Sequence, residues 1–277
     1  MNDGPLSANE TRDLLSRLSH MPKKWLGQNF LIDGNIVRKS LELGEVKPGD
    51  KVVEVGPGLG TLTRTLLGAG ADLYAVEADR TMHFHLTESL LPRFPETFHL
   101  KEGDAVDFPR AGLTDATDGS FKVIANLPYA ISTPWMDAIC AGPHPSMMVL
   151  MLQREAAERL TAEVGTGHWS AVTAQVHLAF EKVKVHPVPA QSFNPPPKVD
   201  SCLLVLRRRP DARRLSPRAR EVARMLFTQR RKQVGSAAKR LFPGAPDVAA
   251  WLADLPRHGL TSLARPETIP AEAWLSL

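Results

Sequence analysis

The stretch Val52 to Thr63, VVEVGPGLGTLT, decides how this chain is read. A short β-branched run ends in three alternating glycines, Gly56, Gly58 and Gly60, and Thr61 then opens an apolar-periodic segment. Glycine permits a sharp strand-to-helix turn and lets the backbone approach a ligand with no Cβ in the way. The same alternation continues outward from this stretch. KVVEV, DLYAVE, FHL, FKVIAN and SMMVLML read as strands, with helical stretches from Thr61, Asp79 and Thr133 between them. That order predicts a parallel sheet with helices on both faces, an α/β fold.

The rest of the chain frames this core. With 277 residues, 43% hydrophobic and 23% charged, it is long enough for a large and a small domain and lies outside the disordered class. Ser7 and Glu10 stand at capping-box spacing ahead of Leu14, Leu15 and Leu18, so residues 7–19 predict a short helix. Beyond the strand-to-helix run LMLQREAAERLTAE, the segments EKVKVHPV and SCLLVLRRR predict antiparallel strands at the sheet edge. Arg207 to Pro217 reads as a polar linker, and PRAREVARMLFTQRRKQVGSAAKRL, PDVAAWLADL and AEAWLSL read as helical. The expected division is an N-terminal extension (1–22), an α/β domain (23–206) and a small all-helical C-terminal domain (207–277).

Cys140 and Cys202, each in an apolar run, exclude a disulfide framework and suit a reducing compartment. The N-terminus lacks the pattern of a secretory leader and MMVLML is too short to cross a bilayer, so a cytoplasmic location and no membrane partner are expected. The net charge is +4, yet Arg207 to Arg240 holds 13 Lys/Arg against 2 Asp/Glu, a balance of 13 − 2 = +11 that leaves 4 − 11 = −7 elsewhere. This asymmetry points to a polyanion, nucleic acid above all, against the plainer account of a solvated helix face.

The glycines follow G-x-G-x-G, two residues after Glu54, and so differ from the G-x-G-x-x-G of dinucleotide loops. The form resembles the loop of S-adenosylmethionine (SAM) methyltransferases, with a Rossmann-like sheet; an NAD oxidoreductase is the weaker alternative. Glu77 closes the second strand, where a carboxylate can accept both ribose hydroxyls, and Asp104 follows the third, where one can accept from an adenine amino group.

The fourth strand ends in Asn126-Leu127-Pro128-Tyr129, at the lip where open parallel sheets bind ligands. An exocyclic amine of a nucleobase is a poor nucleophile because its lone pair is delocalised into the ring. Oxygen acceptors for both N–H groups, the Asn126 side chain and the Pro128 carbonyl, would draw the nitrogen toward tetrahedral geometry, while Tyr129 stacks on the base. The competing account is a proline turn beside a core tyrosine.

LGQNFLID, VVEVGPGLGTLT, GDAVDF, NLPYAIST, LMLQREAAERL, FNPPPKVDS and LFTQRRK occur in the order found in the ribosomal RNA adenine dimethyltransferase family, which the chain resembles from Lys23 to about Lys232. NLPY with FNPPPKVDS leans to the housekeeping branch, which uses SAM to dimethylate the N6 amino groups of two adjacent adenines near the 3′ end of small-subunit rRNA. The resemblance implies SAM contacts from Asn29, Leu31, Gly56, Glu77, Asp104 and Asn126, with Gln28 and Gly58 as further candidates. Asn126, Leu127, Pro128 and Tyr129 would face the target adenine, with Phe193 as a second stacking ring; read without the family, Phe193 is a loop anchor on the core. Lys23 and Lys24 at the site entrance and Arg230, Arg231 and Lys232 would grip RNA phosphates. The partner implied is small-subunit rRNA in an assembling subunit, bound by a monomer without a metal. A macrolide-resistance methylase of large-subunit rRNA and a non-catalytic RNA-binding assembly factor are the alternatives. Three departures from the family pattern, Gly167 to Ala171, Gln233 to Ser236 and the N-terminal extension, question RNA docking more than methyl transfer.

Overall fold

The computed structural model describes residues 4–22 and 28–277. Its strands are β1 (Phe30–Leu31), β2 (Lys51–Val55), β3 (Asp72–Glu77), β4 (Phe98–Glu102), β5 (Lys122–Asn126), β6 (Met147–Gln153), β7 (Phe180–Val188), β8 (Phe193–Asn194) and β9 (Ser201–Arg208). Its α-helices are α1 (Ala8–Arg17), α2 (Gly34–Leu43), α3 (Thr61–Gly68), α4 (Arg80–Ser89), α5 (Ser132–Ala141), α6 (Arg154–Leu160), α7 (Ala171–Ala179), α8 (Pro217–Phe227), α9 (Val234–Leu241) and α10 (Pro246–Asp254).

Seven strands form one sheet in the order β4-β3-β2-β5-β6-β9-β7. The neighbours from β4 to β6 pair in parallel, which realises the expected α/β sheet; β9 runs antiparallel to β6, and β7 lies next to β9 at the edge. Residues of both parities are buried along β2, β5, β6 and β9, so both faces of the sheet are covered. Burying each such Val, Leu or Ile contributes on the order of 1.5–3 kcal/mol. From β2 the chain winds outward through β3 to β4 and then returns to β5 on the other side of β2. The strand order therefore reverses between β2 and β5, and ligands of open α/β sheets sit at that point, beyond the carboxyl ends of the strands. Those two ends carry the glycine loop and the Asn126 turn.

Three features differ from the sequence expectation. β1 and β8 form a separate antiparallel pair, Phe30 opposite Asn194 and Leu31 opposite Phe193, which ties QNFL to the proline-rich segment. The basic segment 217–241, expected as helical, consists of α8, a turn over 228–233, and α9. The first N–H groups of α9 are already taken, Val234 donating to the Ala264 carbonyl and Gly235 to that of Ser262, both at 2.8 Å. AEAWLSL forms a single 3-10 turn over Ala271–Trp274 rather than an α-helix.

The chain divides into two compact units. The first takes Met1–Ala157 with Lys182–Arg208 and contains the β-sheet core. In it α1 carries both hydrogen bonds of the capping box, Ser7 N to Glu10 Oε2 at 2.8 Å and Glu10 N to Ser7 Oγ at 3.3 Å. The second takes Glu158–Glu181 with Arg209–Leu277, so it includes a stretch that the sequence reading assigned to the α/β domain. Its own core joins Trp169, Leu178, Val222, Leu226, Trp251 and Trp274. Trp169, inside one of the departures, is a pillar of that core, its Nε1 donating to the Ile269 carbonyl at 3.0 Å.

Candidate active site

A cavity of about 290 Å³ opens at the reversal point. The candidates Gln28, Asn29, Leu31, Gly56, Gly58, Glu77, Asp104, Asn126, Leu127, Pro128 and Tyr129 all line it.

Its floor is the glycine loop. Gly56 and Gly58 have φ of +65° and +58°, where a side chain would be strained. A Cβ on Gly56 would stand 3.1 Å from Pro128 Cγ, so the loop after β2 and the turn after β5 touch through the missing side chain. Gly58 N donates to Glu77 Oε2 at 2.9 Å, and Asp79 N donates to Glu77 Oε1 at 2.8 Å. Both carboxylate oxygens thus keep lone pairs after fixing the loop, as an acceptor of two hydroxyls requires. Burial raises the pKa of Glu77, its backbone hydrogen bonds oppose that shift, and the charge of Asp79 adds to it. Asp104 lies beyond β4, its Oδ1 accepting from Val106 N at 2.8 Å to hold the turn that brings it to the cavity.

Glu54, read from sequence only as part of the loop pattern, also lines the cavity. It is buried, its Oε2 has no hydrogen-bond partner among the described residues, and burial with the nearby Glu77 charge pushes its pKa up to about 8. An orphaned buried carboxyl oxygen beside a backbone cradle free of side chains fits a ligand that brings cationic and donor groups, as SAM does.

The other wall is the turn after β5. Asn126 Nδ2 donates to the Asn29 carbonyl at 3.2 Å, so the amide is oriented and its Oδ1 is left as an acceptor. Leu127 is fully buried and its N donates to the Met151 carbonyl at 3.2 Å, which holds the turn to β6. The Pro128 carbonyl accepts from Ile131 N at 3.1 Å, so one of its lone pairs closes the turn and the other remains. Tyr129 OH and Ser201 Oγ lie 2.8 Å apart. Ser201, buried at the head of β9, is a contact that nothing in the local sequence signals. Tyr129 lies between the first cavity and a wider one of about 830 Å³, which is lined also by Gln153, Asn194, Lys198 and Val199.

The structure does not bring Phe193 to either cavity. Its ring is buried in the core with Leu31, Val188 and Leu203, because pairing with Leu31 turns it inward; in this conformation it is the loop anchor and offers no face to a base. In the helical unit, Arg231 and Lys232 are exposed, whereas Arg230 is held by Glu267, with Nη2 and Nε at 3.1 and 3.3 Å from Oε2. Lys23 and Lys24 lie outside the described residues.

The family model for ribosomal RNA adenine dimethylase matches residues 19–269. A protein of Opitutus terrae named ribosomal RNA small subunit methyltransferase A is 53% identical over 99% of this chain and 98% of its own length. Among solved structures, a dimethyladenosine transferase from Plasmodium falciparum superposes with a TM-score of 0.67 at 26% identity, covering 89% of this chain and 95% of that one. The 23S rRNA methyltransferase ErmE superposes with a TM-score of 0.60 at 28% identity, covering 90% of this chain and 97% of that one.

Proposed function

The chain belongs to the ribosomal RNA adenine dimethylase family, SAM-dependent methyltransferases of rRNA, and from that premise we propose that its substrate is small-subunit rRNA in an assembling subunit, where it dimethylates N6 of two adjacent adenines near the 3′ end. The small-subunit assignment is supported by 53% identity to a small-subunit enzyme, against 28% to ErmE. The working form is a cytoplasmic monomer.

When bound, SAM supplies an electrophilic methyl group. In this reading Gly56, Gly58, Glu77 and Asp104 hold its nucleoside part, with Asn29, Leu31 and Asn126 beside it. Asn126 Oδ1 and the remaining lone pair of Pro128 O accept the two N–H groups of the adenine N6. That localises the nitrogen lone pair for attack, and Tyr129 stacks on the base. The N6 proton becomes acidic only as the new C–N bond forms and then passes to water, so no base acts beforehand. Phe193 serves as the buried anchor of the proline-rich loop rather than as a second stacking ring. Arg231 and Lys232 take phosphates.

The observation that carries this reading is the orientation of Asn126, whose amide N–H is spent on Asn29 O and whose oxygen is left to accept. The test is methylation of small subunits that lack the modification, followed by mass-spectrometric mapping. N6,N6-dimethyladenine at adjacent positions of the small-subunit RNA is expected; modification of large-subunit RNA instead, or of neither, overturns the assignment.

A further inference from the structure

The N-terminal segment packs against residues that line the cofactor cavity, while its own Arg12, Leu15 and His20 line the wider cavity beside it. α1 packs Leu15 with Leu6, Phe30, Leu59 and Met82, and so lies on the glycine loop through Leu59 and on α4 through Met82. After α1 the chain turns back through Ser19, at φ +48°, and His20 N donates to the Leu15 carbonyl at 2.9 Å. This turn delivers the His20 ring into a buried position, where its Nε2 lies 2.9 Å from Gln28 Oε1.

Gln28 lines the cavity and passes the contact on, its Nε2 donating to Asp79 Oδ2 at 3.1 Å. A carboxylate only accepts, so Asp79 fixes the amide orientation, and the amide oxygen in turn requires the proton of His20 on Nε2. Asp79 is itself committed: its Oδ1 caps α4 through Thr81 N at 2.9 Å, and its own N–H holds Glu77 Oε1 at 2.8 Å. A directed chain of hydrogen bonds therefore runs from His20 through Gln28 to Asp79 and, through its backbone, to Glu77. Leu6 and Leu15 already anchor the helix by burial, whereas a buried polar chain is costly unless every member is satisfied. Its course toward the cavity is what packing alone leaves unexplained.

We propose that the N-terminal segment braces the cofactor cavity and that His20 is a positioning residue, setting SAM affinity by holding Gln28 and Asp79 against Glu77. The proposal rests on the reading of the first cavity as the cofactor site.

Calorimetry of SAM binding to the full-length protein tests it. His20→Ala should raise the Kd about tenfold while kcat at saturating SAM and the KM for RNA stay at wild-type values, and His20→Gln, which returns an N–H near the Nε2 position, should recover most of the loss. Gln28→Ala cuts the same chain from the other side, so it should weaken binding at least as much, and the double variant should be no worse than Gln28→Ala alone. A Kd within twofold of wild type in His20→Ala and Gln28→Ala overturns the brace. So does an equal loss of SAM affinity, kcat and RNA KM that His20→Gln fails to recover. Glu77→Ala separates this from the cavity reading: no effect there overturns the cofactor site itself, whereas a large effect with none at His20 removes the brace alone.

Discussion

Around the glycine loop the polar groups hold one another and leave acceptor oxygens toward the cavity, whereas in the basic segment the charges are divided between internal pairs and solvent. Glu77 holds Gly58 and Asp79, Asn126 holds Asn29, and Tyr129 meets Ser201, all at 2.8–3.2 Å. In the basic segment Arg218 pairs with Asp247 and Glu221, and Arg230 with Glu267, while Arg231, Lys232 and Lys239 stand exposed with no ion pair among the described residues. The first arrangement suits a small ligand of fixed shape. The second suits a polyanion met through its backbone, where several loose cations serve and their exact aim matters less. The lesson is that net charge overstates the free cationic surface: part of the +11 is held in ion pairs within the helical unit.

Variants on the two sides should therefore move different quantities. Asn126→Ala should lower kcat by about 10²–10³-fold while SAM binding, though reduced, stays measurable by calorimetry. Glu77→Ala should raise the Kd for SAM by about 10²-fold and leave the salt dependence of RNA binding unchanged. Tyr129→Phe and Ser201→Ala should each raise the KM for RNA by about three- to tenfold, and the double variant should be no worse than either, because both remove one hydrogen bond. Arg231→Ala and Lys232→Ala should each reduce the slope of log K against log salt by about one, with SAM affinity intact. Arg230→Ala should instead cost stability, about 0.5–1 kcal/mol by denaturant unfolding, since its half-exposed pair with Glu267 is internal. A cofactor-side variant that altered the salt slope, or a basic-turn variant that altered SAM affinity, would break the distinction.

The smallest effect concerns pH. The Glu54 pKa of about 8 lies above the ordinary carboxylate value, so the stability associated with the protonated form is complete below that ordinary value and lost as pH rises through about 8. Without cofactor, the wild-type melting temperature should fall by a few degrees between pH 6 and 8.5, and Glu54→Gln should flatten that decline.

What the sequence made legible was local. The capping box of Ser7 and Glu10, the glycine turn and the strand-end acids each have their cause within a few residues. What it hid depends on partners far along the chain. β1 and β8 are two residues each, too short for any periodicity, and they meet across some 160 positions. For Phe193 the local sequence allows both a stacking ring, from the family pattern, and a loop anchor, and the pairing with Leu31 places the ring in the core. Ser201 finds Tyr129 across 72 positions. The break after α8 carries no glycine or proline; it falls where the 262–264 loop accepts from the first donors of α9, and a Cβ on Gly235 would press on Ser262 at 2.8 Å. The departure at Gln233 to Ser236 is thus part of how the helical unit closes.

The contact of Gly56 with Pro128 has one more consequence. A single hydrogen atom, where any other residue would carry a carbon, is the spacer between the glycine loop and the turn after β5, the two walls proposed for the methyl donor and the base. Redesigning the acceptor side for another amine is therefore not an independent exercise: a bulkier lip pushes on the donor's seat, and a roomier one lets it slacken. In that reading, Gly56→Ala, whose Cβ would stand 3.1 Å from Pro128 Cγ, disturbs both walls at once.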